Sequence, residues 1–525
     1  MNPVAPVRDV LDRQLGRVTM YRLVTIVLTL LVVVYAVFTA TGVIEGLSTG
    51  DNLLSLAVLL VASYASSRLL GLAFRVRPHA ESAIITALLL FFLFVPIVPV
   101  GTADLVWLAI AAVLAQASKY VLAWRGRHVF NPAAAGAFLV LLAQELVGRE
   151  DRINAIWQTA ATEKLFPFVV VGALLVLWRT RRLDIGLVFV VVATVLIMVR
   201  LLDLAAPDQS FVDVLKLAAY SYPIVFVAGF MLSEPLTLPP RRRQQLAVAA
   251  VTAVVFAYPT WIFLVTDSPP DLGVLAISPE LALLIGNLVA FAFARRSGLD
   301  LELEGSRQVA GDTHELTFRS RRSVSFVPGQ YLELSLPHSG MDSRGARRTF
   351  SISSPPEAGR VAVTLRVPQQ KSSSFKKALL SLEPGARVRG TGIGGDFVWP
   401  ADPQTPLLLV AGGIGITPFL SQLRHEGSRD AVLVYGAASA DEVPFAEELA
   451  GVRVVLVCPG HPTDLPEGWT HVEAPYLSDQ IIAEAVPDLG GRRAYVSGPP
   501  AMVNAVRSGL RKRAKSLKTD YFSGY

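Results

Sequence analysis

The sequence predicts a multidomain chain: a polytopic α-helical membrane domain of roughly ten helices, then a small antiparallel β-barrel lobe, then a doubly wound α/β lobe. Three observations predict it. Residues up to 297 consist of long apolar runs separated by short charged loops. From 302 to 402, short alternating strands are punctuated by Gly/Pro turns. From 405 to 525, apolar strands alternate with helical stretches, and the first strand ends in a glycine-rich turn.

Composition agrees with this division. The chain has 525 residues, more than one domain needs. Hydrophobic residues make up 52% and charged residues 17%, high and low for a soluble protein. The sole cysteine, Cys458, excludes a disulfide framework, a four-cysteine iron–sulfur cluster and a zinc knuckle within the chain. The net charge of +6 is mild, and its arginines cluster between apolar runs. That pattern reads as membrane orientation, with lipid as the partner and no nucleic acid.

A hydrocarbon core takes about 20 apolar residues per helix. Candidate spans lie at 21–42, 53–74, 81–99, 104–124, 132–148, 165–179, 184–204, 214–233, 244–266 and 278–295, the sixth being short. Residues 1–20 form a polar leading segment with Arg8, Arg13 and Arg17. The first run has no small-residue cleavage site, so it reads as a retained helix. Alternate loops are basic: Arg68, Arg75 and Arg77; Lys119, Arg125 and Arg127; Arg179, Arg181 and Arg182; Arg241, Arg242 and Arg243; Arg295 and Arg296. The loops between them are acidic (Glu45, Asp51, Asp104, Asp203, Asp208, Asp267, Asp271) or mixed (Arg149 to Arg152). The expectation is a multi-pass protein of the cell membrane with both termini in the cytoplasm.

Four strings interrupt the apolar runs: Glu81-Ser82-Ala83, Phe130-Asn131-Pro132-Ala133, Phe230 to Thr237 with Glu234-Pro235, and Asn287. Asn-Pro and Glu-Pro disfavour a helical residue before the proline, so they read as breaks whose freed amides bind something. Equally, they read as ordinary helix starts with proline in the first turn. The membrane half has two histidines, His79 and His128, beside basic loops, where surface positions are expected. Stacked b-type haems need histidine pairs within helices, so a haem-bearing oxidase is not expected.

In the last third, three short runs belong together: Arg348-Thr349-Phe350-Ser351, Gly412-Gly413-Ile414-Gly415-Ile416-Thr417-Pro418, and Gly498-Pro499-Pro500-Ala501-Met502. In this order and spacing they resemble the flavin- and nicotinamide-binding halves of the ferredoxin–NADP reductase superfamily. The resemblance implies FAD on the β lobe, NADH or NADPH as the substrate of the α/β lobe, and hydride transfer between them. Arg348 then supplies the guanidinium fork for the pyrophosphate, and Thr349 lies beside it. Phe350, where the superfamily usually has Tyr, faces the isoalloxazine. Ser351 sits near the reactive flavin nitrogen. Ser373 and Ser374, opening a helix, form the second phosphate contact. Gly412, Gly413, Gly415 and Pro418 shape the dinucleotide turn. Thr417 and Ser497 flank the nicotinamide, next to Gly498 and Pro499, and Ser497 stands where relatives often have Cys. Ala437, Ala438 and Ser439 replace the arginine of NADPH-preferring relatives, and Asp441 and Glu442 lie close by, which favours NADH. Phe522 lies over the flavin, with Tyr525 as a second candidate.

The Phe-Asn-Pro-Ala and Met231 to Thr237 runs, within residues 20–296, resemble the NqrB/RnfD family of membrane flavin subunits. That resemblance implies about ten helices arranged as an inverted repeat, with FMN as a further cofactor. Thr159-Ala160-Ala161-Thr162 is a partial match to the family's covalent FMN motif, which makes Thr162 the candidate ester site. Alternatively, Thr162 caps the sixth helix. Electrons would leave to quinone or a small electron-carrier protein. Two other readings stay open: a membrane-anchored ferredoxin or flavodoxin reductase, and a transporter-like or sensory membrane domain with a regulatory reductase tail.

Overall fold

The computed structural model describes residue 15 and residues 18–522, apart from 77, 95–99, 125–126, 267, 271, 294–297, 343–344, 358, 369–371, 441–442 and 463–464. Arg8, Arg13, Arg17, Arg77, Arg125, Asp267, Asp271, Arg295, Arg296, Asp441, Glu442 and Tyr525 lie outside the described residues. The described residues divide into two compact units, one ending at Arg296 and the other beginning at Ser297.

Each expected span in the first unit falls on helix, but the expected ten full-length spans are not what the helices provide. Among the described residues, four are long and apolar enough to cross a membrane: Met20–Ala40, Thr49–Ala73, Thr102–Val121 and Leu183–Asp203. Two bent pairs raise the number to six: Phe211–Ser221 with Ile224–Met231 (54°), and Arg242–Phe256 with Tyr258–Leu264 (47°). The first bend falls at Pro223, whose ring removes a backbone donor, and not at Glu234-Pro235. The others, Ala80–Phe94, Pro132–Leu146, Phe166–Arg179 and Pro279–Phe293, are shorter apolar helices. Pro132–Leu146, with fifteen residues and its end at Val147, rises only about 22 Å, short of a core of about 30 Å.

Helix Thr49–Ala73 has its polarity inverted relative to a water-soluble helix. It buries Asn52, Ser55, Ser63, Ser66 and Ser67 and turns Leu53, Leu54, Val61, Leu69 and Leu72 outward. Asn52, Ser63 and Ser66 find partners inside the unit. Gln116 Nε2 donates to Ser63 Oγ at 2.6 Å, Ser63 Oγ donates to the Ala83 carbonyl at 2.8 Å, and Asn52 Nδ2 donates to the Tyr35 hydroxyl at 3.3 Å.

The second unit begins with six antiparallel strands, in the spatial order Arg347–Ser351, Tyr331–Ser335, Arg387–Gly394, Leu299–Ala310, Thr313–Ser320 and Arg360–Arg366. Leu301, Leu316, Phe318, Leu332 and Val363 fill the inner face. The expected barrel is not closed by a continuous ladder. Its end strands meet at one bridge, Ile352 to Val363. The remainder is a six-stranded parallel sheet, in the order Trp469–Glu473, Arg453–Cys458, Ala431–Gly436, Leu407–Gly412, Arg493–Gly498 and Ser516–Tyr521. Strand order reverses at Leu407–Gly412, the first strand in sequence. Crevices of doubly wound sheets open beyond the carboxyl ends of strands at such a reversal.

Candidate functional site

The reversal point carries the glycine turn. Gly413 adopts φ +51, a left-handed backbone that glycine takes without strain. A Cβ at Gly415 would meet the Ser497 carbonyl at 2.3 Å and the Gly498 Cα at 2.6 Å, so only glycine lets the two strand ends approach. Thr417 then starts helix Thr417–His425 with Pro418 in its first turn, and its hydroxyl donates to the Ile414 carbonyl at 3.0 Å. On the neighbouring strand, Ser497 is fully buried and its Oγ has no hydrogen-bond partner. Strand Ser516–Tyr521 pairs Asp520 with Ser497 and Tyr521 with Gly498. One residue on, the Phe522 N–H donates to the Gly498 carbonyl at 2.9 Å. Gly412, Gly415, Ser497, Gly498, Pro499 and Phe522 are therefore brought together. An orphaned buried hydroxyl beside a turn that excludes side chains fits a flat ring stacked at this edge.

Asp520 was not among the sequence candidates. It is partly buried, and burial pushes its carboxyl up to about 6 against an opposing bond from the Tyr521 N–H. Arg366 was also missed. It arrives from the β lobe and lines a small cavity with Asp312, Gly413, Tyr435, Ala437 and Ala438. The Tyr435 hydroxyl donates to the Gly413 carbonyl at 3.0 Å, bracing the turn from below. A cation therefore enters the region that looked devoid of arginine in the local sequence.

In the β lobe, burial alternates along Arg347–Ser351. Arg348 and Phe350 are buried and Thr349 is exposed. The Arg348 side chain is 2% exposed and pairs with Asp342 at 2.9 Å. Its guanidinium lies 5.4 Å from the Phe375 ring centre, and Phe350 stacks on the same ring at 6.0 Å and 29°. Phe350 thus packs as core, with 7% exposure, as does Ser351 beside it. The two serines have local partners. Ser373 Oγ accepts the Lys376 N–H at 3.3 Å, capping the helix. Ser374 Oγ accepts the Asp342 N–H and meets His338 Nε2, both at 2.9 Å. Arg348 and Ser374 therefore meet through Asp342, a residue with no signal in the motif. The arrangement presents a held guanidinium beside hydroxyls, the donor set a pyrophosphate takes.

The interrupted strings of the first unit converge as well. His128 Nε2 meets Glu234 Oε1 at 2.8 Å, and Asn131 Nδ2 donates to Glu234 Oε2 at 3.1 Å. Lys119 Nζ reaches the Ser82 carbonyl, Ser82 Oγ and Thr86 Oγ1 at 3.0–3.2 Å. A cavity lined by Ser82, Thr86, Asn131, Phe230, Ser233 and Glu234 lies beside them. His128, with a 10% exposed side chain, is no surface residue. Asn131 Oδ1 accepts the N–H groups of Ala133 and Ala134, with Pro132 at the helix start, so the helix-start reading holds for this string. Thr162 follows the short helix Gln158–Ala161, and its carbonyl accepts from Leu165 and Phe166. Among the described residues, no cluster of His, Cys, Asp or Glu could hold a metal.

Residues 409–508 match the family described as oxidoreductase NAD-binding domain. The reductase subunit of an aromatic O-demethylase from Amycolatopsis is 30% identical over 40% of this chain and 63% of its own length. An NADPH oxidoreductase of Mycobacterium tuberculosis is 33% identical over 35% of this chain and 48% of its own. The chain thus spans about half to two thirds of the length of these curated relatives. The Amycolatopsis cytochrome P450 reductase crystal structure aligns over 43% of this chain and 70% of its own, at 26% identity and a TM-score of 0.37. The C-terminal unit carries a match to an oxidoreductase NAD-binding domain and is similar in sequence to reductases. The matching relatives named here are reductases.

Proposed function

We propose that the chain takes reducing equivalents from NAD(P)H onto FAD in its C-terminal unit and delivers them to an acceptor in or at a membrane through its helical unit. The observation that carries this is the meeting of the Gly413 to Thr417 turn with Ser497, Gly498 and Phe522. FAD, when bound, supplies the chemistry: it accepts a hydride from NAD(P)H and a proton from solvent, leaving NAD(P)+ and a carrier able to release single electrons. The protein positions the partners. Arg348, held by Asp342, anchors the FAD pyrophosphate. The Gly413 to Thr417 turn takes the dinucleotide pyrophosphate, with Arg366 adding charge from the opposite lobe. Ser497 and Thr417 flank the nicotinamide, and Phe522, held at the Gly498 carbonyl, would lie against the flavin ring.

The helical unit is read as an NqrB/RnfD-like membrane domain of the cell membrane, with the module on the cytoplasmic side. The outward leucines and inward serines of Thr49–Ala73 support a lipid surround. The convergence of Ser82, Asn131, Glu234 and Asn287 supports a bound group there, with FMN, at Thr162 or elsewhere, as the intermediate carrier and quinone as the acceptor. A second reading is favoured by the relatives. The 2-halobenzoate 1,2-dioxygenase electron transfer component, 28% identical, points to a small electron-carrier protein as the acceptor.

The test is anaerobic titration of the purified full chain with NADH and then NADPH. Bleaching of bound flavin by either is expected, and a flavin that neither nucleotide reduces overturns the reading. Extraction of FAD with FMN supports the relay. FAD alone supports the carrier-protein acceptor.

A further inference from the structure

Two lobes must be held in register for a hydride to pass between their cofactors. In this unit, four charged side chains close a ring across the lobes. Arg307 Nη2 lies 2.9 Å from both Glu315 and Glu448. Arg424 lies 2.8 Å from Glu315 and 2.7 Å from Glu448. Arg307 and Glu315 belong to the β lobe, and Arg424 and Glu448 to the nucleotide lobe. The Phe445 ring sits beneath both guanidiniums, 4.8 Å from Arg424 and 5.5 Å from Arg307. Its backbone is at φ +62, an unusual conformation for a bulky residue. Such outliers persist where the surroundings over-determine them.

The ring is uneven. Its inner side is nearly dry, with Glu315 at 7% side-chain exposure and Arg424 at 18%, whereas Arg307 is 59% exposed and Glu448 38%. Exposed pairs contribute little, so the Glu315–Arg424 bond dominates the contact. That bond reaches both halves of the candidate site. Arg424 lies on helix Thr417–His425, which starts at the glycine turn, and its Nη1 also donates to the Ser353 carbonyl at 2.8 Å. Ser353 follows Ser351 by two residues, and its hydroxyl reaches Glu315 at 3.3 Å. The same helix sends Ser421 Oγ to the Ser354 carbonyl at 2.7 Å. Each lobe also contributes one positive and one negative member. If the lobes part, Arg307–Glu315 and Arg424–Glu448 remain paired, and no buried charge is stranded.

We propose that Glu315 and Arg424 are positioning residues for hydride transfer: their cross-lobe pair fixes the glycine turn against the Ser351 strand, in a latch that can open for nucleotide exchange. This rests on the reading that the module moves a hydride from NAD(P)H to FAD.

The experiment is anaerobic stopped-flow reduction of the full chain by NADH or NADPH, with nucleotide affinity and limiting rate measured separately. Dinucleotide deuterated at the transferred position supplies the isotope effect. Glu315→Gln should retain FAD and nucleotide affinity while the limiting rate falls on the order of 10- to 100-fold. The primary isotope effect should persist, and the long-wavelength nicotinamide–flavin absorbance should weaken. Arg424→Lys keeps the charge but cannot reach Glu315, Glu448 and Ser353 together, so it should slow the same step less; it decides the matter if Glu315→Gln does not fold. Glu448→Gln, on the wet side, should stay within about twofold of the parent, the range of an exposed pair. An unchanged limiting rate in Glu315→Gln or Arg424→Lys overturns the proposal, as does a defect confined to FAD content or nucleotide affinity. If neither nucleotide reduces the parent protein, the hydride-transfer reading itself fails, before any variant is compared.

Discussion

The side-chain carbonyl of Asn287 accepts the backbone N–H of Asn131 at 2.7 Å, joining two helices 156 positions apart. Both residues are buried, and that N–H precedes a helix, where the helix itself offers no acceptor. Asn287→Leu should therefore destabilise the helical unit by about 1–3 kcal/mol, the cost of a buried donor left unpaired. Thermal melting in detergent, followed by tryptophan fluorescence, measures it. Leu288→Ala, on the exposed side of the same helix, serves as the control and should change stability by less than about 0.5 kcal/mol.

Arg348 should be the residue on which FAD retention depends. Arg348→Lys keeps a positive charge but loses the planar fork, and FAD should bind about 10-fold or more weakly, the equivalent of one charge-assisted bond of about 1.5–3 kcal/mol. The ratio of flavin to protein after gel filtration reads this out. Full flavin occupancy in Arg348→Lys would remove Arg348 from the phosphate site.

Ser497 should show opposed effects on stability and reactivity. Its buried Oγ lacks a partner, so Ser497→Ala should stabilise the FAD-free protein by about 1 kcal/mol. The same change should slow flavin reduction by NAD(P)H if the hydroxyl serves the nicotinamide. Melting temperature and stopped-flow rate, measured on one preparation, test both parts. A variant that is both less stable and equally fast would contradict this account.

Asp520 gives a pH dependence. Its folded pKa of about 6 lies above the ordinary carboxylate value of about 3.9. Between these values the folded state binds more protons than the unfolded state, so stability falls as pH rises. The cost is absent below about pH 4 and complete above about pH 6. Asp520→Asn should therefore stabilise the reductase unit at pH 7.5 by roughly 1–3 kcal/mol, and should make no difference near pH 4. Melts followed by flavin fluorescence across that range decide it; a pH-independent difference would show that the carboxyl is not the cause.

The motifs were legible where their chemistry is local. The glycine turn, its preceding strand and its following helix occupy one stretch, observed as Leu407–Gly412, Gly413–Ile416 and Thr417–His425. Contacts made by distant segments were not legible. Asp342 under Arg348, Arg366 beside Ala437 and the Glu315–Arg424 pair have no periodicity to betray them. The bend inside the expected span 214–233 was missed because hydropathy records apolar content, whereas Pro223 decides where the helix turns. Phe350, expected to face the flavin, also packs on Phe375, a partner set by folding of the β lobe that no local pattern announces.

Strand Ser516–Tyr521 lies parallel to Arg493–Gly498, at the edge of the sheet, and delivers Phe522 to the Gly498 carbonyl. On the proposed reading, Phe522 stands at the mouth through which the dinucleotide enters. An affinity tag or fluorescent reporter fused downstream would then behave as a plug of adjustable length, and its removal by protease would report on entry without altering a single native side chain.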